Sequence, residues 1–401
     1  MKIGLVAEVA QCNHRIPEWA KGLSKIGHQV FLITPNYSKS QLRFLGLVED
    51  YEFTWIQSKT FRSKYKRYSN RNFHLSRVFQ KILRIYRSKV HSDGYERWSK
   101  SLVQTLKTVH SKYSLDLIVV SVSPFSIIKP VSELANLERI PWLVDYRDLW
   151  SQNHTSKNVS EASLSFEKKL LEQSAGLITV SNELSDNLKE IYNGKIQIIS
   201  NGFSNVKNYI PRPKSGPIRI IYAGSIYLNY QNLDLILDAL LDFNKINLRA
   251  TLSIYGPTSN HLKRILSRKS HQLPKWLKLI NEIAKEEVLK VESEADLLLV
   301  LNWENPKSYG ILGTKIYSYL GAGRPIILTG GYRTNQVVEI VEHSGMGKWL
   351  NSKIEIIKFL ENYESGKIDF QQNLRYIKKF SFDEISKSLD GFLQICAEKE
   401  L

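Results

Sequence analysis

Residues 1–35 read MKIGLVAEVAQCNHRIPEWAKGLSKIGHQVFLITP, and this stretch decides the fold. KIGLVAEVA is a near-continuous apolar run of the kind carried by a strand buried on both faces. Pro17 stands at a favourable first-turn position for a helix through EWAKGLSKIG, and Gly27 ends it. HQVFLITP is a second apolar strand. A strand, a helix and a strand within about 35 residues make a βαβ unit, whose handed crossover forces parallel pairing.

The same alternation continues outward. LDLIVVSVS, PWLVDY, AGLITVS and KIQIIS read as strands, and PFSIIKPVSELANLE, EASLSFEKKLLEQ and ELSDNLKEIY between them read as helices. Asn201-Gly202 breaks the pattern, and residues 204–217 carry three prolines and a glycine without apolar periodicity, which suits a linker. From Ile218 the alternation restarts with IRIIYAGS, NLDLILDALLDF, LRATLSIYG, ADLLLVLNW, GTKIYSYLGAG and RPIILTG, and a last helix reads FDEISKSLDGFLQICAE. The expected architecture is α/β, with two doubly wound Rossmann-like domains facing a cleft: residues 1–203, then 218–380, with 381–401 as a terminal helix.

A chain of 401 residues is long enough for more than one core, and 42% hydrophobic and 11% aromatic content excludes disorder as the main state. Cys12 and Cys396 lie at opposite ends with no spaced Cys/His cluster, so both read as free thiols in a reducing cytosol. MKIGLVAEV runs into polar QCNHR too soon for a signal sequence, and runs such as Leu297 to Leu301 are far below the ~18 residues of a membrane span. The expected location is cytoplasmic.

Charge is the unusual feature. The net charge is +17, and between Lys59 and Lys100 there are 13 Lys/Arg against Asp93 and Glu96. Within that segment RVFQKILRIYRSKVH sets Val78, Phe79, Ile82, Leu83 and Tyr86 on one helical face, ringed by Arg77, Lys81, Arg84 and Arg87. A basic amphipathic helix at 77–89 fits an anionic membrane surface, on the inner face for a cytoplasmic protein; a core-facing helix with a solvated basic side fits as well. No nucleic-acid fold signature accompanies it, and nucleic acid is not an expected partner.

Several chemistries are absent. Gly310-Ile-Leu-Gly313-Thr314-Lys315 has the wrong spacing for a P-loop; no Gly-x-Ser-x-Gly elbow or His-Glu-x-x-His occurs. No Asp-x-Asp triplet exists, which argues against metal-clamped diphosphate chemistry.

In order along the chain, MKIGLV, LSKIGHQVFLITP, IPWLVDYRDLW, AGLITVSNEL, IQIISNGF, IIYAGS, NLDLILDAL, IYGP, EADLLLVL and GTKIYSYLGAGRPII resemble the GT-B glycosyltransferases of the family 4 type, the group with bacterial lipopolysaccharide and exopolysaccharide transferases. The resemblance covers nearly the whole chain. It implies polysaccharide biosynthesis: transfer of a sugar from a nucleotide diphosphate sugar to a hydroxyl of a glycan or lipid-linked acceptor. The donor would lie on the second domain and the acceptor on the first, and the terminal helix would return to the first domain. Retention of configuration is implied, with no cofactor and no metal.

The resemblance also implies a site. Gly313-Thr314-Lys315 opens a helix, where backbone N–H groups, the helix dipole and a lysine charge suit a diphosphate; a solvated first-turn lysine is the plain alternative. Gly224-Ser225, at a strand end, would let a second loop approach the diphosphate, and Gly256 of IYGP falls on the donor side. The two glutamates of the family's Glu-x7-Glu pattern fall here on Gly310 and Ser318, so neither is acidic. Glu304, upstream, could supply a carboxylate to donor sugar hydroxyls or be a solvated loop glutamate, and Asn201 stands at an interdomain turn near the donor or at a bare turn.

On the acceptor side, Asp145, Arg147 and Asp148 end a strand where an open parallel sheet places its ligand crevice. Either aspartate could take the acceptor proton, with Arg147 on an anionic group, or the set could be a structural ion pair. His14 and Arg15 in the first strand-to-helix loop are acceptor contacts or a surface turn. Two other readings stay open: a sugar-nucleotide epimerase of the same fold, and a non-enzymatic protein binding anionic membranes or polyanions.

Overall fold

The computed structural model describes residues 1–10, 15–44, 46–47, 52–58, 95–153, 160–211, 216–257, 262–263, 273–305 and 310–398. His14, Cys12 and the basic helix expected at 77–89 lie outside the described residues.

The chain divides into two compact units. The first comprises residues 1–43, 47–199 and 386–401. Its sheet contains β1 (Lys2–Ala7), β2 (Gln29–Pro35), β3 (Thr54–Ser58), β4 (Leu117–Val122), β5 (Trp142–Tyr146), β6 (Gly176–Thr179) and β7 (Ile196–Ile198). All pairings are parallel, in the order β3-β2-β1-β4-β5-β6-β7. The order reverses direction between β1 and β4, where Ile3 to Ala7 pair with Leu117 to Ser121.

β4 and β5 are buried along their whole length because helices cover both faces of a parallel sheet. Ile118, Val120, Trp142 and Val144 pack with Trp98, Leu102 and Leu106 of the helix Glu96–Tyr113. The end of the chain is tied to this unit: the N-terminal amine lies 3.0 Å from His28 Nδ1, and His28 Nε2 lies 2.6 Å from Asp390 Oδ1 of the helix Phe382–Ala397. Gly176 meets the same helix closely; a Cβ there would lie 2.9 Å from Phe392 Cζ and 3.0 Å from Cys396 Sγ.

The second unit comprises residues 44–46 and 200–385. Its sheet contains β8 (Ile218–Ala223), β9 (Ala250–Tyr255), β10 (Leu277–Ile280), β11 (Leu297–Leu301), β12 (Ile326–Thr329) and β13 (Gly347–Trp349), in the parallel order β10-β9-β8-β11-β12-β13. Here the reversal falls between β8 and β11. The unit begins at Ser200 rather than after Phe203, because Phe203 bridges Ser381: its N–H donates to Phe380 O at 3.1 Å, and Phe382 N–H donates to Phe203 O at 2.9 Å. Within the segment that read as linker, Lys207 N–H donates to Gly321 O at 2.9 Å, so its start is held to the second unit. Among the described residues no helix is long and apolar enough to cross a membrane.

Candidate functional site

The C-terminal ends of β8, β9 and β11 define the candidate site of the second unit. β8 stops at Ala223, and Gly224 turns with φ +127°, a conformation that a side chain rarely adopts. Its N–H donates to Tyr255 O at 2.7 Å, holding the turn against the end of β9. Gly256 follows β9, and a Cβ there would lie 2.2 Å from Gly224 O. A larger residue at Gly256 would push the two loops apart, and one at Gly224 would displace the Lys315 ammonium and strain the turn.

Lys315 reaches this turn from the helix Thr314–Ala322. A Cβ on Gly224 would sit 2.7 Å from Lys315 Nζ. The ammonium donates to Tyr222 Oη at 2.9 Å and lies 4.4 Å from the Tyr222 ring centroid. Tyr222 Oη in turn donates to Ser225 O at 2.7 Å. One phenol therefore fixes both the lysine and the turn, and burial pushes that phenol's pKa far up, so it stays a neutral donor. Gly313 and Thr314 are exposed at the start of this helix, whose first-turn N–H groups have no partner within the helix itself. Gly224, Ser225, Gly256 and Lys315 thus meet at one corner, where Lys315 and the Gly224 carbonyl fill the space a Cβ would need at the two glycines, and Gly313 and Thr314 open the helix that carries the lysine.

Beneath Lys315 is a carboxylate that sequence reasoning missed. Glu292, on the helix Lys285–Glu294, is 2% exposed and accepts a hydrogen bond from Ser318 Oγ. Burial raises its pKa to about 7, opposed by the Ser318 hydrogen bond and the Lys315 charge. The helix position that lacks a glutamate in this sequence, Ser318, is therefore occupied by a hydroxyl that binds a glutamate from a neighbouring helix. Tyr319, one residue on, accepts a hydrogen bond from Ala223 N–H at 3.0 Å and so pins the strand end.

Glu304 is exposed in the loop after β11. Its Oε1 would lie 3.4 Å from a Cβ on Gly330, beyond the end of β12, so it belongs to the same sheet edge. Asn201 is buried, next to the strand-like pairing of Phe203 with Ser381.

In the first unit Asp145 is fully buried. It forms an ion pair with Arg15 Nη2 and accepts a hydrogen bond from Ser121 Oγ at 2.6 Å. Arg15 also donates from Nη1 to Ile199 O at 2.9 Å and lies over the Trp19 ring at 4.3 Å. Arg15 is therefore not a surface turn but the buried partner of a strand-end aspartate, so the ion pair of Asp145 is with Arg15 and not with Arg147 of its own segment. Arg147 and Asp148 are half-buried just beyond β5, with Arg147 Nε 3.4 Å from Val122 O.

That loop is held from behind by Glu167, which accepts from Tyr146 Oη at 2.8 Å and from Ser151 N–H at 2.9 Å. A further buried acid, Glu8, follows β1 and accepts from Tyr37 Oη at 3.0 Å. Among the described residues no group of three or more His, Cys, Asp or Glu side chains is arranged to hold a metal ion.

This geometry is that of the GT-B fold. Residues 15–204 match the family model described as Glycosyltransferase Family 4. The chain resembles the family 4 type of GT-B glycosyltransferase.

Among solved structures it is similar to sucrose-phosphate synthase from Thermosynechococcus elongatus, with 14% identity and a TM-score of 0.65 over 98% of each chain. It is similar to HepE of Anabaena in complex with UDP, with 13% identity and a TM-score of 0.64 over 98% of this chain and 100% of the other. It is also similar to a putative UDP-N-acetylglucosamine 2-epimerase from Listeria monocytogenes, with 9% identity and a TM-score of 0.56 over 98% and 95%. At these identities the likeness is one of fold. None of the curated proteins matches the sequence.

Proposed function

We propose that this protein is a glycosyltransferase that moves a sugar from a nucleotide diphosphate sugar to a hydroxyl of a glycan or lipid-linked acceptor. The observation that carries the reading is the meeting of Gly224, Gly256 and Lys315 at the strand ends of the second unit. The Gly224 turn, held against the end of β9, sets its backbone beside the Lys315 ammonium, and Lys315 with the helix start supplies positive potential for a diphosphate. As the glycosidic bond breaks, negative charge grows on the departing diphosphate, and donors already fixed in place lower that barrier. Tyr222 keeps the lysine from having to reorganise.

Transfer proceeds with retention and without a metal. The resemblance is to a retaining group, and the lysine and helix start take over the charge balance a metal would provide. The first unit takes the acceptor, with Asp148 and Arg147 the polar groups beyond β5 and Asp145 fixing that strand end. The basic stretch 77–89, read from its sequence, would hold the enzyme at an anionic inner membrane face beside a lipid-linked acceptor.

The test is a thermal-shift screen of UDP, GDP, ADP and TDP and their sugars, followed by product analysis. Stabilisation by one nucleotide and transfer that requires an acceptor support the reading. Conversion of a nucleotide sugar in the absence of acceptor would make the protein an epimerase. A flat screen would leave only a polyanion-binding role.

A further inference from the structure

Two loops leave the second sheet side by side at its reversal point, one after β8 and one after β11. The first carries Gly224 and Ser225 and then Tyr227 and Tyr230; the second carries Trp303 and then Glu304. Their aromatic rings gather. Tyr227 lies 4.9 Å from Trp303 at 30°, and Tyr230 lies 5.4 Å from Trp303 at 35°.

The arrangement is built by backbone and amide contacts. Gln231, buried and bridged to Trp303, donates from Nε2 to Leu301 O at 2.8 Å and accepts from Tyr227 N–H at 2.9 Å. Glu304 N–H donates to Tyr230 O at 2.8 Å. These contacts hold the rings in one place, yet they do not bury them: Tyr227 remains 51% exposed. A ring that merely sealed the loop would turn inward.

We propose that Tyr227, Trp303 and Tyr230 form a stacking platform for the apolar face of the donor's pyranose ring. This rests on the reading of Gly224, Gly256 and Lys315 as the diphosphate corner. The weakly positive C–H face of a sugar suits the negative face of an aromatic ring, and the exposed Glu304 carboxylate next to Trp303 can accept from sugar hydroxyls. Tyr227 follows the diphosphate turn by three residues, which is within reach of a sugar bonded directly to that diphosphate. The platform gives the site selectivity for a sugar with an unbroken apolar face.

The experiment titrates the full chain with UDP-glucose, UDP-N-acetylglucosamine and GDP-mannose, each beside its free nucleoside diphosphate. For whichever pair binds, Tyr227→Ala should weaken the nucleotide sugar about 10-fold and the free diphosphate less than about 2-fold, while Tyr227→Phe matches wild type. Trp303→Leu should act in the same direction, with circular dichroism confirming that it folds. Equal weakening of sugar and free diphosphate overturns the proposal, because the rings would then stack on the base. An unchanged nucleotide sugar affinity in both variants overturns it as well. Absence of binding by every nucleotide overturns the donor reading itself and the platform with it.

Discussion

Replacing Glu292 with glutamine should change how stability depends on pH more than it changes stability at any one pH. Glu292 is 2% exposed, and folding carries its pKa from the usual 4.5 to about 7. A carboxyl raised on folding favours the native state while it is protonated, so its contribution is complete below about 4.5 and is lost as pH rises through about 7. The gap corresponds to roughly 3 kcal/mol in all, of which about 2 to 3 kcal/mol falls between pH 5 and pH 8.

A glutamine at this position cannot titrate, but its amide oxygen still accepts the Ser318 hydroxyl. The difference in melting temperature between Glu292→Gln and wild type should therefore grow by about 5 to 10 °C in favour of the variant from pH 5 to pH 8. Differential scanning calorimetry at both pH values, following the transition that a bound nucleotide moves, measures it. A constant difference at the two pH values would show that Glu292 is ionised throughout and that its burial is offset by Lys315.

The other predictions concern the corner above that carboxylate and the first unit. Lys315→Ala should lower kcat by on the order of 10²-fold with little change in melting temperature, since its role grows only as the diphosphate departs. Tyr222→Phe keeps the ring but removes the hydroxyl that accepts from Lys315 and donates to the Ser225 carbonyl, and should lower kcat by about 10-fold, measured by the same transfer assay. Activity should survive EDTA; complete loss restored by magnesium or manganese would refute the metal-free route. Asp145→Asn removes the carboxylate charge that pairs with buried Arg15 and should destabilise the protein by about 3 to 5 kcal/mol in urea unfolding, whereas Asp148→Asn should leave stability nearly unchanged.

The two domains were legible because a parallel sheet buries its inner strands on both faces. β11 accordingly reads as an unbroken apolar run and β1, β4 and β8 as near-continuous ones, interrupted by Lys2, Ser121 and the exposed Arg219. What escaped lies at the sheet edges. β3, β10 and β13 are outermost strands of their sheets, and their short sequences TWIQS, LKLI and GKW carry too little apolar pattern to stand out. Arg15 escaped for a different reason: nothing in a strand-to-helix turn announces that its guanidinium will be buried against an aspartate on another strand.

Glu292 is the instructive case. Apolar periodicity finds helices by their buried hydrophobic stripe, but in KEEVLKVESE the buried side chain is itself the glutamate. Along its own helix Ser318 stands where the family pattern has an acid, and one-dimensional spacing has no means of seeing that a second helix brings an acid to that hydroxyl. Gly224, Gly256 and Lys315 are distant in sequence and were named singly from the resemblance; what the sequence did not carry is their contact, in which the space that a Cβ would need at each glycine is taken by the neighbouring turn or by the lysine.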